Sequence, residues 1–196
     1  YVLAENILIE GQRLDCYIQN LLDMTRIGHG SLAVEREWVG LDELCGAVLP
    51  RLRKLYPATD VEMTLPAQLP LLHVNPALIE QALYNVLENA AKFNSPAYPI
   101  VLQAHLDESR VCIDVSDHGP GIPAQDRHRV FDMFYSVERG DHAGSSGTGL
   151  GLAICHGIIA AHNGAIEALA GPDGQGTTIR IMLPVSDPPF DAAQDV

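Results

Sequence analysis

Turning residues 76–92, PALIEQALYNVLENAAK, through about 100° per residue sorts them onto two arcs. Ile79, Leu83, Val86, Leu87 and Ala90 share one arc, and Gln81, Asn85, Glu88, Asn89 and Lys92 share the opposite one. Asn75-Pro76 reads as an N-cap with proline at the first helical position, so the pattern predicts a helix to about Lys92. A second helical stripe occupies residues 1–29, where Leu3, Ile7, Leu14, Ile18, Leu21 and Thr25 recur at spacings near four and three, with Glu10 standing in the seam. Such a seam is hidden only against partner helices. Gly28 and Gly30 end it.

Alternating apolar and polar residues predict a strand over 33–39, and Asp42 is then expected to cap a helix running to about Lys54. The run VEMTL predicts a strand over 61–65, followed by a loop marked by Pro66 and Pro70, and His73-Val74 is a brief extended step. Strands over 100–106 and 111–116 flank the turn DESR, and a short helix is expected near 125–131. Residues 135–149 are polar and glycine-rich and show no period. A helix over 150–161 and strands over 165–170 and 177–183, joined by the turn GPDGQG, close the pattern, and 186–196 reads as a disordered tail. Adjacent antiparallel strand pairs with helices between them predict an α+β two-layer sandwich. Its mixed, mostly antiparallel sheet is covered on one face by helices, unlike a βαβ nucleotide fold.

Composition narrows this picture. The 196 residues suffice for one good core and a second small unit. At 47% hydrophobic and 19% charged residues, the chain reads as an ordinary soluble globular protein. No apolar run approaches the roughly 20 residues of a membrane span, no signal peptide opens the chain, and the start YVLAENILIE falls in mid-pattern, as in a piece of a longer protein. The four cysteines form no CxxC pair, which argues against a zinc site or a disulfide framework and suits buried thiols in a reducing compartment. Eight histidines show no HExxH spacing. A net charge of −13 repels nucleic acid and anionic membrane surfaces, and it also repels small anions.

Three segments carry candidate chemistry. A helix face that is merely solvated favours Glu, Lys, Gln and Arg, whereas asparagine lowers helix propensity by competing for the backbone. Asn85 and Asn89 at i and i+4, followed by Lys92, suit carboxamide oxygens aimed at a metal and an ammonium aimed at phosphate. In 117-DHGPGIP-123, Asp117 ends a strand where its carboxylate can accept from an exocyclic amine, and Gly119 and Gly121 let the backbone approach a flat ligand. In 144-GSSGTGLGLAI-154, glycines crowd the start of a helix, where bared N–H groups favour an anion.

Together these segments resemble the ATP-binding domain of bacterial sensor histidine kinases, which share the Bergerat fold with gyrase, Hsp90 and MutL. The asparagine box is 85-NVLENAAKF-93, the first glycine box 117-DHGPGIP-123, the phenylalanine box 131-FDMFY-135 and the second glycine box 147-GTGLGL-152, with a later Gly-Thr at 176–177. The resemblance spans about 30–185, and 1–29 looks like the second helix of the hairpin that dimerises these kinases and carries their phosphoacceptor. Within the family, 38-WVGLDELCGAVL-49, 73-HVNPALIEQAL-83 and 149-GLGLAICHGII-159 look closest to the potassium-responsive sensor kinases.

The resemblance implies that Asn89 coordinates the Mg2+ bridging the phosphates of ATP, with Asn85 supporting the same metal site, and that Lys92 meets phosphate. Asp117 would read adenine N6, Gly119, Gly121 and Phe93 would shape the adenine pocket, and Thr177 or Thr178 would lie near the base. Gly147, Gly149, Leu150 and Gly151 would form the hinge of a lid over about 136–147 and the helix start facing the triphosphate. Three positions depart from the family pattern, and one motif is missing. Phe93 stands for the usual tyrosine and His118 for asparagine; Ser136 stands where many members carry arginine, which leaves Arg139 as the lid residue for the γ-phosphate. The phosphoacceptor motif, histidine, an acidic residue and then Thr-Pro, occurs around none of the eight histidines, so it is expected upstream of Tyr1.

The implied partners are ATP, a cognate response regulator and a second copy through the hairpin. The implied location is the cytoplasm, with any membrane anchor outside this segment. A mechanical ATPase and a nucleotide-binding pseudokinase are the alternatives. In gyrase-like and chaperone-like relatives, a glutamate four residues before the metal asparagine is the general base for hydrolysis, and Asn85 occupies that position here.

Overall fold

Alternating side chains in the second half of the chain divide between two faces of a five-stranded sheet. The computed structural model describes residues 35–137 and 149–185. The elements are β1 (Glu37–Val39), α1 (Leu41–Leu55), β2 (Val61–Thr64), β3 (Leu72–Val74), α2 (Pro76–Phe93), β4 (Ile100–Asp107), β5 (Arg110–Asp117), α3 (Gly151–Ala161), β6 (Ala165–Ala170) and β7 (Thr177–Pro184). The sheet order is β2-β4-β5-β7-β6, with β2 parallel to β4 and the other neighbours antiparallel. The expected helix over 1–29, most of the lid and the tail lie outside the described residues, as do Arg139 and Gly147.

One sheet face is apolar. Ile100 and Leu102 of β4, Val111, Ile113 and Val115 of β5, and Ile179, Ile181 and Leu183 of β7 join one buried cluster. From the helices, Leu44 and Leu52 of α1, Ile79, Leu83 and Leu87 of α2, and Ile154 and Ile158 of α3 complete it. Each such side chain contributes roughly 1.5–3 kcal/mol on full burial, which is why the α2 stripe docks on the sheet. The alternate β5 residues Cys112, Asp114 and Ser116 turn to the other face, where the Arg180 guanidinium grips Asp114 at 2.7 and 2.8 Å. Ser116 and Thr178 hydroxyls meet at 2.7 Å on that same face. These cross-strand pairs fix the register of β5 against β7.

Three expectations need correction. β1 and β3 pair with each other as a separate antiparallel ribbon, with Trp38 stacked on His73, instead of joining the main sheet. Gly40, not Asp42, caps α1; Asp42 lies within the first turn, where its charge complements the helix dipole. The segment 125–131 is a chain of turns ending in one 3-10 turn, Arg129–Phe131. The Asp126 carbonyl accepts the Arg129 and Val130 N–H groups at 2.9 and 3.1 Å, and side-chain contacts add to this: the Tyr135 hydroxyl donates to Asp126 at 2.9 Å, and Arg129 covers the Tyr135 ring. The thiols of Cys45, Cys112 and Cys155 are free and buried, and burial pushes Cys155 up to about 12.

His162 joins the end of α3 to the start of α2. Its Nδ1 lies 2.8 Å from the Ile158 carbonyl, which can only accept, so Nδ1 carries the proton and Nε2 accepts from the Asn75 N–H at 3.0 Å. Burial lowers the His162 pKa; Arg36 adds to this, and the Ile158 carbonyl opposes it. The unfolded chain therefore binds a proton near the ordinary value of about 6.5 while the folded chain resists it until lower pH. Stability contributed by neutral His162 is present above about pH 6.5 and declines as pH falls toward the depressed folded value. The urea midpoint should be lower at about pH 5.5 than at about pH 7.5, and this difference should shrink in His162→Gln. An equal pH dependence in both proteins would show that His162 does not set it.

Candidate functional site

The polar edge of α2 begins from a fixed N-terminus, because Asn75 Oδ1 accepts the Leu78 N–H at 3.0 Å and Pro76 pre-sets the first turn. From there the helix aims Gln81, Asn85, Glu88, Asn89 and Lys92 away from the sheet. Asn85 is nevertheless only 6% exposed, because α3 covers it. Its Nδ2 lies 3.5 Å from the Gly151 carbonyl, its Oδ1 accepts from Gln81 Nε2 at 3.1 Å, and the carboxamide also meets the Cys155 thiol. Cys155 donates to the Ala82 carbonyl at 3.4 Å in the same seam. Asn89 is half-buried one turn on, and Lys92 Nζ lies 3.2 Å from Glu88 Oε2. Glu88 also accepts from the Tyr56 hydroxyl at 3.5 Å.

Asp117 ends the central strand β5, with 7% of its surface exposed. Its Oδ1 accepts the Gly119 N–H at 2.8 Å and the Thr177 N–H at 3.3 Å, so one oxygen ties the glycine loop to β7. Gly119 is required by close approach, since a Cβ there would collide with the Phe93 carbonyl at the end of α2. The next link is Asn94, whose Oδ1 accepts the His118 N–H at 2.8 Å and whose Nδ2 donates to the Tyr98 carbonyl at 2.7 Å. His118 stacks on Tyr98, with ring centroids 4.6 Å apart. Gly121 lies against Gly176. The register pairs Asp117 with Thr177 and Ser116 with Thr178. Alternation therefore puts Thr177 on the Asp117 face and Thr178 on the opposite one.

The start of α3 is held from the other side. Gly149 has φ +68°, and an added Cβ would lie 2.7 Å from Tyr135 O, so this position needs glycine on both counts. Its carbonyl accepts the Phe134 N–H at 3.1 Å, which joins the phenylalanine box to the helix start. Leu150 is the N-cap and makes no side-chain cap bond, leaving the first-turn N–H groups to be met by something other than a cap. A Cβ at Gly151 would meet nothing within 4 Å.

The structure thus gathers Asn85, Gly149, Leu150 and Gly151 at the junction of α2 and α3, and Asp117, Gly119, Phe93 and Thr177 at the far end of α2. Gln81, Asn94 and Tyr56 were not singled out by sequence reasoning. Gln81 lay one turn before Asn85 on the same arc, and that spacing was the available signal. Asn94 and Tyr56 reach their partners through the fold and left no pattern. Among the described residues no group of three or more His, Cys, Asp or Glu side chains can hold a metal, and no helix is long and apolar enough to cross a membrane. A cleft of about 490 Å3 between Arg127, Phe131, His156 and Glu167 contains none of the residues named for the site.

Residues 74–187 match the family described as histidine kinase-, DNA gyrase B- and HSP90-like ATPases, and the chain belongs to that family. It is similar to the sensor protein KdpD of Escherichia coli, with 38% identity over 88% of this chain and 19% of that protein. Among solved structures, it resembles the mycobacterial sensor histidine kinase MprB, with a TM-score of 0.66 and 30% identity over 76% of this chain and 97% of that one. Full-length ShkA in complex with AMPPNP gives a TM-score of 0.77 at 26% identity, covering 94% of this chain and 39% of that one. The chain spans only about a fifth of the length of KdpD.

Proposed function

We propose that the chain is the ATP-binding catalytic domain of a two-component sensor histidine kinase of the KdpD type. The observation that carries this reading is the Asp117 carboxylate, buried at the end of β5 and fixed by the Gly119 and Thr177 N–H groups. A fixed acceptor at the strand end, beside the glycine loop, suits the exocyclic amine of adenine. The triphosphate would then run along the polar edge of α2 toward the uncapped start of α3, where N–H groups and the helix dipole favour anions. ShkA, a structural relative, is complexed with an ATP analogue.

The donor set also fits Mg2+, which prefers hard oxygens, few protein ligands and substrate phosphates. Asn89 is the ligand we assign to it, with Asn85 supporting the same site from the buried side. When bound, the ion neutralises charge developing on the transferred phosphoryl group. Lys92 would exchange Glu88 for phosphate, and Arg139 would reach the γ-phosphate from the lid. These local cations matter because a net charge of −13 opposes ATP at long range. The γ-phosphoryl acceptor would be a histidine upstream of Tyr1, and the next acceptor a response-regulator aspartate. The parent protein would dimerise through the helical hairpin and keep this domain in the cytoplasm.

The chain should bind Mg-ATP and fail to label itself, because phosphoryl transfer needs an acceptor held in line and the phosphoacceptor motif is absent from the sequence. Calorimetry reads the binding, and γ-labelled ATP followed by mass spectrometry reads the label. No binding of Mg-ATP would sink the nucleotide assignment. Stoichiometric phosphohistidine within residues 1–196 would sink the upstream-acceptor assignment.

A further inference from the structure

Asn85 occupies an unusual place for a helical asparagine. It is 6% exposed in the seam between α2 and α3, and both ends of its carboxamide are engaged. The Gly151 carbonyl can only accept, so the group 3.5 Å away must be the Asn85 NH2, and Oδ1 must then face Gln81 Nε2 at 3.1 Å. One carbonyl thus fixes the orientation of two consecutive side-chain amides. At 3.5 Å the Gly151 contact is at the long limit of hydrogen bonding. The neighbouring bond from Cys155 Sγ to the Ala82 carbonyl lies one turn along in both helices and keeps the seam closed.

We propose that Gln81, Asn85 and the Gly151 carbonyl form a positioning relay that holds the phosphate-facing start of α3 in register with α2, so that Asn85 is not itself a metal ligand. This rests on the nucleotide reading above and deepens it. Asn89, half-buried one turn further along α2, is left as the carboxamide that meets the metal. The two roles have different consequences. A metal ligand affects only the part of nucleotide binding that requires Mg2+. A residue that places the start of α3 affects every ligand carrying phosphate, with or without Mg2+, and leaves the base and sugar untouched.

Calorimetry with ADP, with and without Mg2+, and with adenosine separates them. Gln81→Leu and Asn85→Ala should each weaken ADP binding about threefold to tenfold, equally in the presence and absence of Mg2+, with adenosine affinity unchanged. Asn89→Ala should weaken ADP only when Mg2+ is present. A loss confined to Mg2+-containing buffer in Asn85→Ala would make Asn85 a ligand and overturn the proposal. Equal losses for adenosine and ADP in Gln81→Leu would reduce the relay to general stability, which also overturns it. Should Asn85→Ala fail to fold, Gln81→Leu alone decides, because Gln81 is only half-buried. Failure of the unsubstituted chain to bind ADP at all would instead count against the nucleotide reading.

Discussion

Asp117→Asn is expected to weaken adenine-nucleotide binding roughly 10- to 150-fold while the domain stays folded. The geometry explains both halves of that outcome. Asp117 Oδ1 accepts from the Gly119 and Thr177 N–H groups, and the asparagine oxygen must stay there, since an NH2 in that position would face two donors. The loop and β7 therefore remain tied. The second position changes from an anionic acceptor to a donor, and the adenine amine, itself a donor, loses a charge-assisted hydrogen bond and meets an N–H. Calorimetry with an ATP analogue reads the effect, and thermal melting confirms the fold. Unchanged affinity would mean that the base is read elsewhere.

The second large effect concerns water. ATP turnover by the isolated chain should be slow, because the position that carries the base in gyrase-like relatives is Asn85, and a carboxamide cannot take a proton at neutral pH. General-base catalysis contributes roughly 10²- to 10⁴-fold, so the deficit should be plain in a steady-state assay. Glu88 does not fill the gap: it lies about 100° around the helix from Asn89, and its carboxylate is paired with Lys92 at 3.2 Å and reached by the Tyr56 hydroxyl. Slow hydrolysis suits an enzyme that must keep its γ-phosphoryl group for a histidine. Turnover at ordinary ATPase rates, abolished by Glu88→Gln, would favour a mechanical ATPase instead.

Much of this was legible in residue order. The 3.6-residue stripe of α2 and the period-2 strands β4, β5 and β7 are local patterns, and burying each against the other gives helices on one face of a sheet. The Asn75-Pro76 start of α2 follows from backbone chemistry alone, as does the glycine at 149. Local readings failed at particular positions. Asp42 looked like a cap, yet Gly40 holds that position. The 125–131 segment looked helical, but it folds as turns ending in one 3-10 turn, with Tyr135 tied to Asp126. Thr177 and Thr178 were indistinguishable as neighbours until the β5–β7 register set one beside Asp117 and the other beside Ser116.

By itself the sequence determined the element order, the apolar faces and the identity of the glycine and asparagine segments, because these depend on periodicity and on backbone freedom within a few residues. Only the tertiary structure decided how those segments meet. It buried Asn85 under α3, bound Asp117 to a strand 60 residues away, and brought Tyr56 to Glu88. Such contacts depend on helix packing and strand register, which arise from the whole core and leave no mark on the local pattern.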